Sequence, residues 1–314
     1  MIRHADLRSS GDYAADRRYA WAVDAAAGGD MVAAAGLFAQ TLERVPSWPP
    51  ALLGLGEALA ACGDEDGAAE AFACALDADP TDRLGAGLRL ARLGRRDPAA
   101  AMTPSWIAAV FDEYAPRFDT HLVEALGYRG PALLVAALDA VAGPERRFST
   151  ALDLGCGTGL AGAGLRARID HLAGCDLSAA MVERARARGA YDRLAVTDMV
   201  SFLAAEASGS TDLVLAADVL IYVADPAPLM GAVARVLAQG GLFAFTAEDA
   251  PDAVGDAPVL GSALRWAHPA PLLRRLAAAA GLAVRSCVAA SCRREADRDV
   301  PGLVLVLARD DGAR

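Results

Sequence analysis

A short glycine-rich segment in the middle of the chain carries the residues whose types and spacing are suited to binding chemistry. In the segment LDLGCGTG, residues 152–159, an apolar run leads into Asp153 and three alternating glycines follow. A second apolar stretch ends at Asp176, about twenty residues farther along. Glycines at a strand-to-helix turn let a ligand approach the backbone, and an acid at that distance can accept hydrogen bonds from ribose hydroxyls. The pattern therefore predicts a cradle for an adenosine-bearing cofactor.

Two classes of adenosine-bearing cofactor fit this cradle. Gly157, Gly159 and Gly162 spell G-x-G-x-x-G, the pattern of nicotinamide dinucleotide enzymes. However, Asp153 lies two residues before Gly155, where it can accept a hydrogen bond from the amino group of a methionine-like moiety. Asp198 follows the third predicted strand, where it would reach an adenine amino group. Three acids after three successive strands fit a zwitterionic nucleoside better than a pyrophosphate. The acids favour the methionine-derived sulfonium S-adenosylmethionine over NAD.

The elements that must position these residues alternate from Phe148 onward, which predicts a doubly wound, mostly parallel sheet of seven strands in an α/β fold. The first five strands are expected to end near Leu154, Cys175, Thr197, Ala217 and Ala247. Two further strand-like runs, residues 282–290 and 302–308, have no helical segment between them. They predict an antiparallel hairpin at one edge of the sheet, in place of the second half of a dinucleotide fold.

The first hundred residues have a different organisation, with helical patterns only. Phe38 recurs as Phe72, and Pro46 recurs as Pro80, both at a spacing of 34 residues. A helix-turn-helix unit of this length, with small residues where helices touch, resembles the tetratricopeptide repeat. About two units are visible, and they either dock on the second domain or form a groove that binds a protein partner. We predict repeats over residues 1–97 and a second domain over 104–314, in which 104–143 are N-terminal cap helices and 148–310 are the Rossmann-like core.

Several motifs together resemble the class I S-adenosylmethionine-dependent methyltransferases over residues 105–310. They are DLGCGTG at 153–159, CDLS at 175–178 with Met181 behind it, TDM at 197–199 and AADVLIYVAD at 216–225. The segments FDEYAPRFDTHL at 111–122, LGYRGPALL at 126–134, RWAHPAPLL at 265–273 and VPGLVLVL at 300–307 are similar to those of bacterial methyltransferases that carry tetratricopeptide repeats. Because that narrower family has no well-defined activity, the resemblance implies the cofactor but not the methyl acceptor.

The resemblance implies a set of cofactor-binding residues. They are Tyr114, Phe118, Asp153, Gly155, Cys156, Gly157, Thr158, Gly159, Asp176, Leu177, Met181, Asp198, Met199 and Ala217. Tyr114 and Phe118 lie four residues apart on one helical face, either as core residues or as an aromatic wall that stabilises the sulfonium by roughly 0.5–2 kcal/mol. Asp198 either contacts the adenine or only caps a helix. Cys156 is expected to be a small apolar filler and not a nucleophile.

An oxygen or nitrogen acceptor must lose a proton on methylation, so a general base is expected near the transferred methyl group. Of the four histidines, His121 and His268 are the two that loops could bring over the site. His268 is the predicted base or substrate contact, with a capping or surface role as its alternative. Asp218, at the end of the fourth predicted strand, and Tyr222 complete the predicted catalytic group.

Composition excludes several other functions. The net charge of −10 argues against nucleic acid as a partner, because phosphate binding needs a concentrated positive face. All 30 basic residues are arginine, which removes lysine Schiff-base chemistry. The six cysteines lack paired spacing, so neither a disulfide framework nor a metal site is expected, and the absence of a long apolar run predicts a cytoplasmic protein without a membrane span.

The sequence thus predicts a methyltransferase acting on an unidentified small molecule or protein, with repeats that dock or bind a partner. The alternatives are a non-catalytic assembly or scaffold protein that binds the cofactor and, less favoured by the acids, an NAD(P)-dependent oxidoreductase.

Overall fold

The computed structural model describes residues 9–251, 255–261, 263–295 and 298–310. The chain divides into two compact units, one up to Glu113 and the other from Tyr114 onward. This division lies within the segment that the sequence assigned to cap helices. The functional boundary between residues 97 and 104 stays a prediction.

The first unit is entirely helical. Its helices are α1 (Tyr13–Ala27), α2 (Met31–Leu42), α3 (Pro49–Ala61), α4 (Glu65–Ala78), α5 (Ala86–Arg92) and α6 (Pro104–Tyr114). Aspartate side chains cap α1, α2 and α4 by accepting from first-turn amides, and prolines at the first positions of α3 fit its free N-terminus. Consecutive helices from α1 to α5 pack against each other.

Glycines on α3 receive the two phenylalanines that recur along the sequence. A Cβ atom at Gly54 would lie 2.5 Å from the Phe38 ring, and one at Gly56 would lie 2.4 Å from the Phe72 ring. Both phenylalanines are buried. The absence of side chains at these positions therefore allows α3 to pack closely against both α2 and α4.

The second unit is an α/β domain. Its strands are β1 (Phe148–Leu154), β2 (Ile169–Asp176), β3 (Arg193–Val196), β4 (Thr211–Ala216), β5 (Leu237–Glu248), β6 (Val259–Leu260), β7 (Trp266–Ala267), β8 (Leu282–Ala289), β9 (Arg294–Glu295), β10 (Arg298–Asp299) and β11 (Gly302–Arg309). Its helices are α7 (Phe118–Thr120), α8 (Gly130–Ala142), α9 (Leu160–Leu165), α10 (Ala179–Arg188), α11 (Met199–Ala204), α12 (Ala227–Val236) and α13 (Ala270–Ala279).

The main sheet has the strand order β3-β2-β1-β4-β5-β11-β8. The first five strands are parallel, and β11 is antiparallel to both β5 and β8. The predicted fold class is confirmed, including the antiparallel C-terminal strands. From β1 the chain continues to β2 and β3 on one side of the sheet and then crosses to β4 and β5 on the other side. The strand order therefore reverses between β1 and β4, which is where ligands bind in doubly wound sheets.

Alternation along the strands produces a core on each face of the sheet. Leu152 and Leu154 of β1 pack with residues of α11, α12 and α13, whereas Phe148 and Ala151 pack with residues of α8 and α9. Residues of one strand alternate between faces, so Asp153 must share the face of Ala151. Sequence patterning alone therefore fixes the direction of this acid.

Two local features differ from the sequence predictions. Within the predicted cap helices of residues 104–143, the chain directly after Arg117 forms only one short turn, α7, followed by a π-helical turn at His121–Ala125. The pairs β6–β7 and β9–β10 were not predicted, because two-residue strands carry no periodic signal. Within the described ranges no single helix is long and apolar enough to cross a bilayer, although the bent pair 104–125 and 130–142 meets the same criterion of length and composition together.

Candidate functional site

The turn after β1 contains three glycines in left-handed backbone conformations. At Gly155, φ is 61° and a Cβ atom would lie 2.7 Å from Cγ2 of Val219, so close packing against the loop after β4 requires glycine here. At Gly157, φ is 54° and the nearest atom to a Cβ would be Cε1 of Phe118, at 4.0 Å. The backbone of Gly157 is thus open to a ligand, with one aromatic ring above it.

Asp176 lies beside this turn, at the end of β2. Its Oδ2 accepts a hydrogen bond from the Gly157 N–H at 2.9 Å, and its Oδ1 accepts from the Ser178 N–H at 2.8 Å. Ser178 in turn caps α10, accepting from the Met181 N–H at 3.1 Å. The carboxylate is therefore held at the rim by backbone donors and remains half-buried. A ligand with two adjacent hydroxyls is the kind of partner such a carboxylate can bind.

Asp153 is more deeply buried than Asp176, with 1% of its surface exposed. Its Oδ2 accepts from the Tyr191 hydroxyl at 2.6 Å and from the Gly162 N–H at 3.1 Å. Its Oδ1 has no hydrogen-bond partner within the described part of the chain. Burial raises the pKa of Asp153 to about 6. An unpaired buried carboxylate oxygen is costly, and a cationic donor would relieve that cost.

Tyr191 is a member of the site that sequence reasoning missed. Its side chain would collide with a Cβ atom at Gly159, Gly162 or Gly174, at 2.8, 2.4 and 2.8 Å respectively. These glycines therefore make room for the tyrosine, and the third glycine of the apparent dinucleotide pattern has a structural explanation. A lone tyrosine following a helix gives no sequence signal for this role.

The remaining cofactor residues predicted from the sequence have mixed surroundings. Cys156, Thr158 and Met181 are buried, whereas Leu177, Met199 and Ala217 are half-buried. Burial raises the pKa of the Cys156 thiol, which suits an inert filler. Asp198 caps α11 by accepting from the Ser201 N–H at 2.9 Å. The capping alternative is therefore realised, and the adenine contact stays a prediction.

Aromatic residues cover the glycine turn. The Tyr114 ring lies 5.1 Å from the Phe118 ring in an edge-to-face arrangement, and the Tyr114 hydroxyl is hydrogen-bonded to Nδ1 of His121. The Arg117 guanidinium lies over the Tyr114 ring at 5.7 Å. The structure thus brings together the two predicted aromatic residues and one of the two histidines that were considered as bases.

Asp218 lies beyond the end of β4 in a left-handed conformation, with φ at 60°. Its N–H donates to Oγ1 of Thr246 at 2.7 Å, and both carboxylate oxygens accept from Nη1 of Arg293. Arg293 is only 4% exposed and also contacts Glu248 and Glu295. Burial opposes the charge on Arg293, but the Asp218 and Glu248 carboxylates raise its pKa.

Arg265 completes this ionic cluster. It contacts Glu248 at 2.6 Å and Glu295 at 2.7 Å. Neither Arg265 nor Arg293 was predicted from the sequence as a site residue. Their carboxylate partners lie on separate elements, and the spacing between them follows no motif. The cluster fixes Asp218 in place through a side-chain cation, whereas Asp176 is fixed by backbone donors.

The other two predicted catalytic residues, His268 and Tyr222, differ in how deeply they are buried. His268 is fully buried, its Nε2 is hydrogen-bonded to the Val223 carbonyl at 2.8 Å, and its Nδ1 has no partner among the described residues. Burial lowers the pKa of His268. Burial also raises the pKa of the half-buried Tyr222. The geometry of His268 suits a neutral structural histidine, so the alternative of a surface role is wrong, and the predicted catalytic role stays a prediction.

Comparison with known proteins agrees with this geometry. Residues 152–245 match the family described as "Methyltransferase domain". The chain is 38% identical over 107 residues to methyltransferase-like protein 27 of Homo sapiens, which covers 33% of this chain and 43% of that protein. It is 36% identical over 106 residues to a ubiquinone biosynthesis O-methyltransferase of Xanthomonas oryzae pv. oryzae, which covers 32% of this chain and 44% of that protein. The chain thus spans less than half the length of these curated relatives.

Solved structures show the same fold. A methyltransferase in complex with the Haloferax volcanii Trm112 methyltransferase activator superposes with a TM-score of 0.51 at 22% identity, covering 64% of this chain and 98% of that one. The Burkholderia thailandensis 1,6-didemethyltoxoflavin-N1-methyltransferase, solved with S-adenosylhomocysteine, gives a TM-score of 0.50 at 17% identity, covering 66% of this chain and 89% of that one.

The glycine turn open at Gly157, the carboxylate of Asp176 beside it and the unpaired oxygen of Asp153 fit an adenosine ligand that carries an amino group. Together with the family match over residues 152–245, they indicate S-adenosylmethionine as the cofactor. Residues 152–245 of the second unit thus match a methyltransferase domain, and the glycine turn and acids within it suit S-adenosylmethionine.

Proposed function

We propose that the chain is a methyltransferase that transfers a methyl group from S-adenosylmethionine to a small-molecule or protein acceptor. The observation that carries this proposal is the placement of Asp176, whose carboxylate lies against the open backbone of Gly157 at the rim of the glycine turn. When bound, the cofactor supplies a methyl group activated by the sulfonium. The residues of the chain bind it, orient it and manage the proton of the acceptor.

Each contact within this proposal has a physical basis. Asp176 would accept from both ribose hydroxyls, and Asp198 from the adenine amino group. Asp153 would pair its free Oδ1 with the amino group of the methionine moiety. Tyr114 and Phe118 would place aromatic faces near the sulfonium, an attraction of roughly 0.5–2 kcal/mol. Leu177, Met181, Met199 and Ala217 would supply the apolar walls.

Cofactor binding by the intact chain can be measured by calorimetry. We expect S-adenosylmethionine and S-adenosylhomocysteine to bind and NAD to give no signal. Asp176→Ala should remove hydrogen bonds to a charged group worth roughly 1.5–3 kcal/mol each. Asp170→Ala is the matched control, because Asp170 is an exposed acid near the opposite end of the same strand. Tight NAD binding without an S-adenosylhomocysteine signal would contradict the proposal.

Turnover can be screened with cofactor that carries a labelled methyl group, using cell lysate separated by ultrafiltration into small molecules and macromolecules. Label in either fraction identifies the class of acceptor. Cofactor binding without label in any fraction would favour the non-catalytic assembly role instead.

The helical unit has a proposed role in docking or partner binding, as tetratricopeptide-like repeats. Support comes from the repeated packing of Phe38 and Phe72 against α3 glycines. Tyr13 and Trp21 are exposed on α1, with the Arg17 guanidinium over both rings. Aromatic and arginine side chains of this kind are enriched in protein interfaces. If the acceptor is a protein bound there, Trp21→Ala should reduce its methylation without changing cofactor affinity.

A further inference from the structure

The segment of residues 114–126, called the cover segment below, is fixed to the glycine turn by side-chain contacts. Asp119 accepts from the Thr158 hydroxyl at 2.5 Å and from Nη2 of Arg188 at 2.7 Å. Nε of Arg188 also donates to the Thr158 carbonyl at 2.8 Å. Because Thr158 lies within the glycine turn, these bonds hold the cover segment at the cofactor edge of the sheet.

Within the cover segment, Tyr114, Phe118 and His121 lie on one face. The Tyr114 and His121 rings have centroids 5.6 Å apart, and the hydroxyl of the tyrosine meets Nδ1 of the histidine. Tyr114 is half-buried beside Phe118, which lies above Gly157, whereas His121 is exposed at the start of the π-helical turn. The pair therefore connects a hydroxyl near the cofactor edge to an imidazole in contact with water.

One direction of this hydrogen bond would allow proton transfer. Burial raises the pKa of Tyr114, so the phenol keeps its proton at neutral pH and is able to donate it to Nδ1 of His121. This direction requires the tautomer of His121 that carries its proton on Nε2. The charged groups around the pair include Arg117, over the Tyr114 ring, and Asp119, which is bonded to Arg188 of α10.

Other titratable groups at the same edge are already engaged. Both carboxylate oxygens of Asp218 accept from Arg293. The carboxylate of Asp176 accepts from two backbone amides, and the buried His268 is bonded to a carbonyl through Nε2. In contrast, the Tyr114–His121 pair combines a proton-accepting oxygen near the cofactor edge with an exposed nitrogen that can release the proton to solvent.

We propose that Tyr114 and His121 form a proton relay that deprotonates the methyl acceptor, and that the acceptor atom is therefore a hydroxyl oxygen or an amine nitrogen. The inference rests on the proposed methyltransferase function. As the acceptor atom forms its bond to the methyl carbon, the bond between that carbon and sulfur breaks and its electron pair stays on sulfur. The acceptor proton passes to Oη of Tyr114 while the tyrosine proton passes to Nδ1 of His121. The resulting imidazolium loses its Nε2 proton to water, and exchange of the ring protons with solvent then restores the Nε2–H tautomer.

In this assignment Tyr114 is the catalytic residue, since it touches the acceptor, and His121 is a positioning residue that acts through it. The first test does not require turnover. Nitrogen-15 spectra of the histidines of the intact chain should show His121 as the Nε2–H tautomer with an accepting Nδ1. Tyr114→Phe should convert it to a mixture of tautomers. A His121 spectrum that is the same in wild type and Tyr114→Phe would overturn the relay.

The second test measures transfer of the labelled methyl group to the lysate fraction that wild-type protein labels. Tyr114→Phe and His121→Gln should each lower the rate by at least about 100-fold, because general base catalysis contributes on that scale. Both variants should bind S-adenosylhomocysteine within about threefold of wild type. Tyr114→Phe keeps an aromatic ring at position 114, and His121→Gln keeps the whole of Tyr114. His171→Gln is the matched control on an exposed histidine and should leave the rate unchanged.

The pH profile separates a relay from a structural role. The relay requires Nδ1 of His121 to accept a proton, so the rate should fall on acidification, and this fall should vanish in His121→Gln. Wild-type labelling that survives unchanged in Tyr114→Phe would overturn the relay and leave the proposed function standing. Wild-type protein that binds S-adenosylhomocysteine but labels no fraction would overturn both.

Discussion

The carboxylates on the two sides of the point between β1 and β4, where the strand order reverses, accept hydrogen bonds from different kinds of donor. On the glycine rim, residues 153–159 and 176–178, Asp176 accepts from backbone N–H groups and Asp153 from one backbone N–H and one tyrosine. On the arginine rim, Asp218, Glu248, Arg265, Arg293 and Glu295, each carboxylate is held by a side-chain cation.

This difference predicts that one rim contributes mainly to the stability of the fold and the other mainly to cofactor binding. The glycine rim is built from contiguous backbone, so its geometry follows once β1, β2 and the turns after them form. The arginine rim depends on Arg293, which lies 75 positions from Asp218 in the sequence. We therefore expect changes in the arginine rim to act mainly on the free energy of unfolding, and changes in the glycine rim to act mainly on cofactor affinity.

The largest expected effect is on stability, in Arg293→Met. Removal of a buried cation leaves Asp218, Glu248 and Glu295 with too few partners, which typically lowers the free energy of unfolding by about 3–5 kcal/mol. Urea unfolding measures the loss. Arg285→Met is the matched control, since Arg285 pairs with Asp310 at the surface and should cost less than about 1 kcal/mol. A loss for Arg293→Met no larger than that of the control would show that the arginine rim is not a stability device.

Next in size is the effect of Gly157→Val on cofactor affinity. A β-branched residue is strained at a φ of 54° and fills the open space that the cofactor needs. We expect S-adenosylhomocysteine affinity to fall by at least about 100-fold, equivalent to ~2.7 kcal/mol, in calorimetry. Gly164→Val is the control, because a Cβ at Gly164 meets nothing within 4 Å. Unchanged affinity in a folded Gly157→Val protein would place the cofactor elsewhere.

A smaller effect is expected from the ionisation of Asp153, whose pKa is raised to about 6. If the cofactor amino group pairs with the ionised carboxylate, affinity should rise by up to about tenfold per pH unit below that pKa and level off above pH ~7. Calorimetry with S-adenosylhomocysteine from pH 5.5 to 8 tests this, and Asp153→Asn should remove the pH dependence. A flat profile for the wild type would mean that Asp153 serves only Gly162 and Tyr191.

The pH dependence of the stability of the cofactor-free chain has the opposite sign to that of cofactor affinity. The folded pKa of Asp153 lies above the ordinary value of 3.8, so the folded state binds more protons than the unfolded state between those two values. The contribution of Asp153 to stability should therefore decrease as pH rises from about 4 to about 6 and stay constant above that range. Loss of this decrease in Asp153→Asn, measured by unfolding at several pH values, attributes it to this residue.

The smallest effect is predicted for removal of the repeats. A shortened chain that begins at Thr103 retains every residue of both rims, so S-adenosylhomocysteine affinity should change by less than about tenfold, or ~1.4 kcal/mol. Calorimetry of the shortened and intact chains measures this difference. A shortened protein that folds but no longer binds the cofactor would show that the helical unit shapes the site, and the predicted boundary at residues 97–104 would then be wrong.

The glycine rim was predictable from sequence because its signals are local. Strand alternation places Asp153 on the face of Ala151, and the glycine spacing identifies the turn before any contact is known. The same spacing also made Gly162 fit a dinucleotide pattern, whereas the structure shows that Gly162 makes room for Tyr191. Glycine spacing alone does not reveal whether a ligand or a side chain fills the space.

The arginine rim was not predictable for the converse reason. Arg293 follows an edge strand, Glu248 ends β5 and Asp218 follows β4, and only the packing of β11 between β5 and β8 brings them together. His268 illustrates the same limit. Its position before a helix predicted a cap or a base, whereas the structure buries it against the Val223 carbonyl.

The sequence by itself determined the fold class, the turn after β1 and the acids that follow the first strands, because each depends on periodicity or spacing within a few residues. The tertiary structure decided which of those acids remain available. In the folded chain Asp218 is paired with Arg293, and the Tyr191 hydroxyl donates to Asp153. Tyr114 is hydrogen-bonded to His121, the first residue of the π-helical turn. These contacts join side chains whose spacing has no periodic or motif signal, so the folded chain is needed to reveal them.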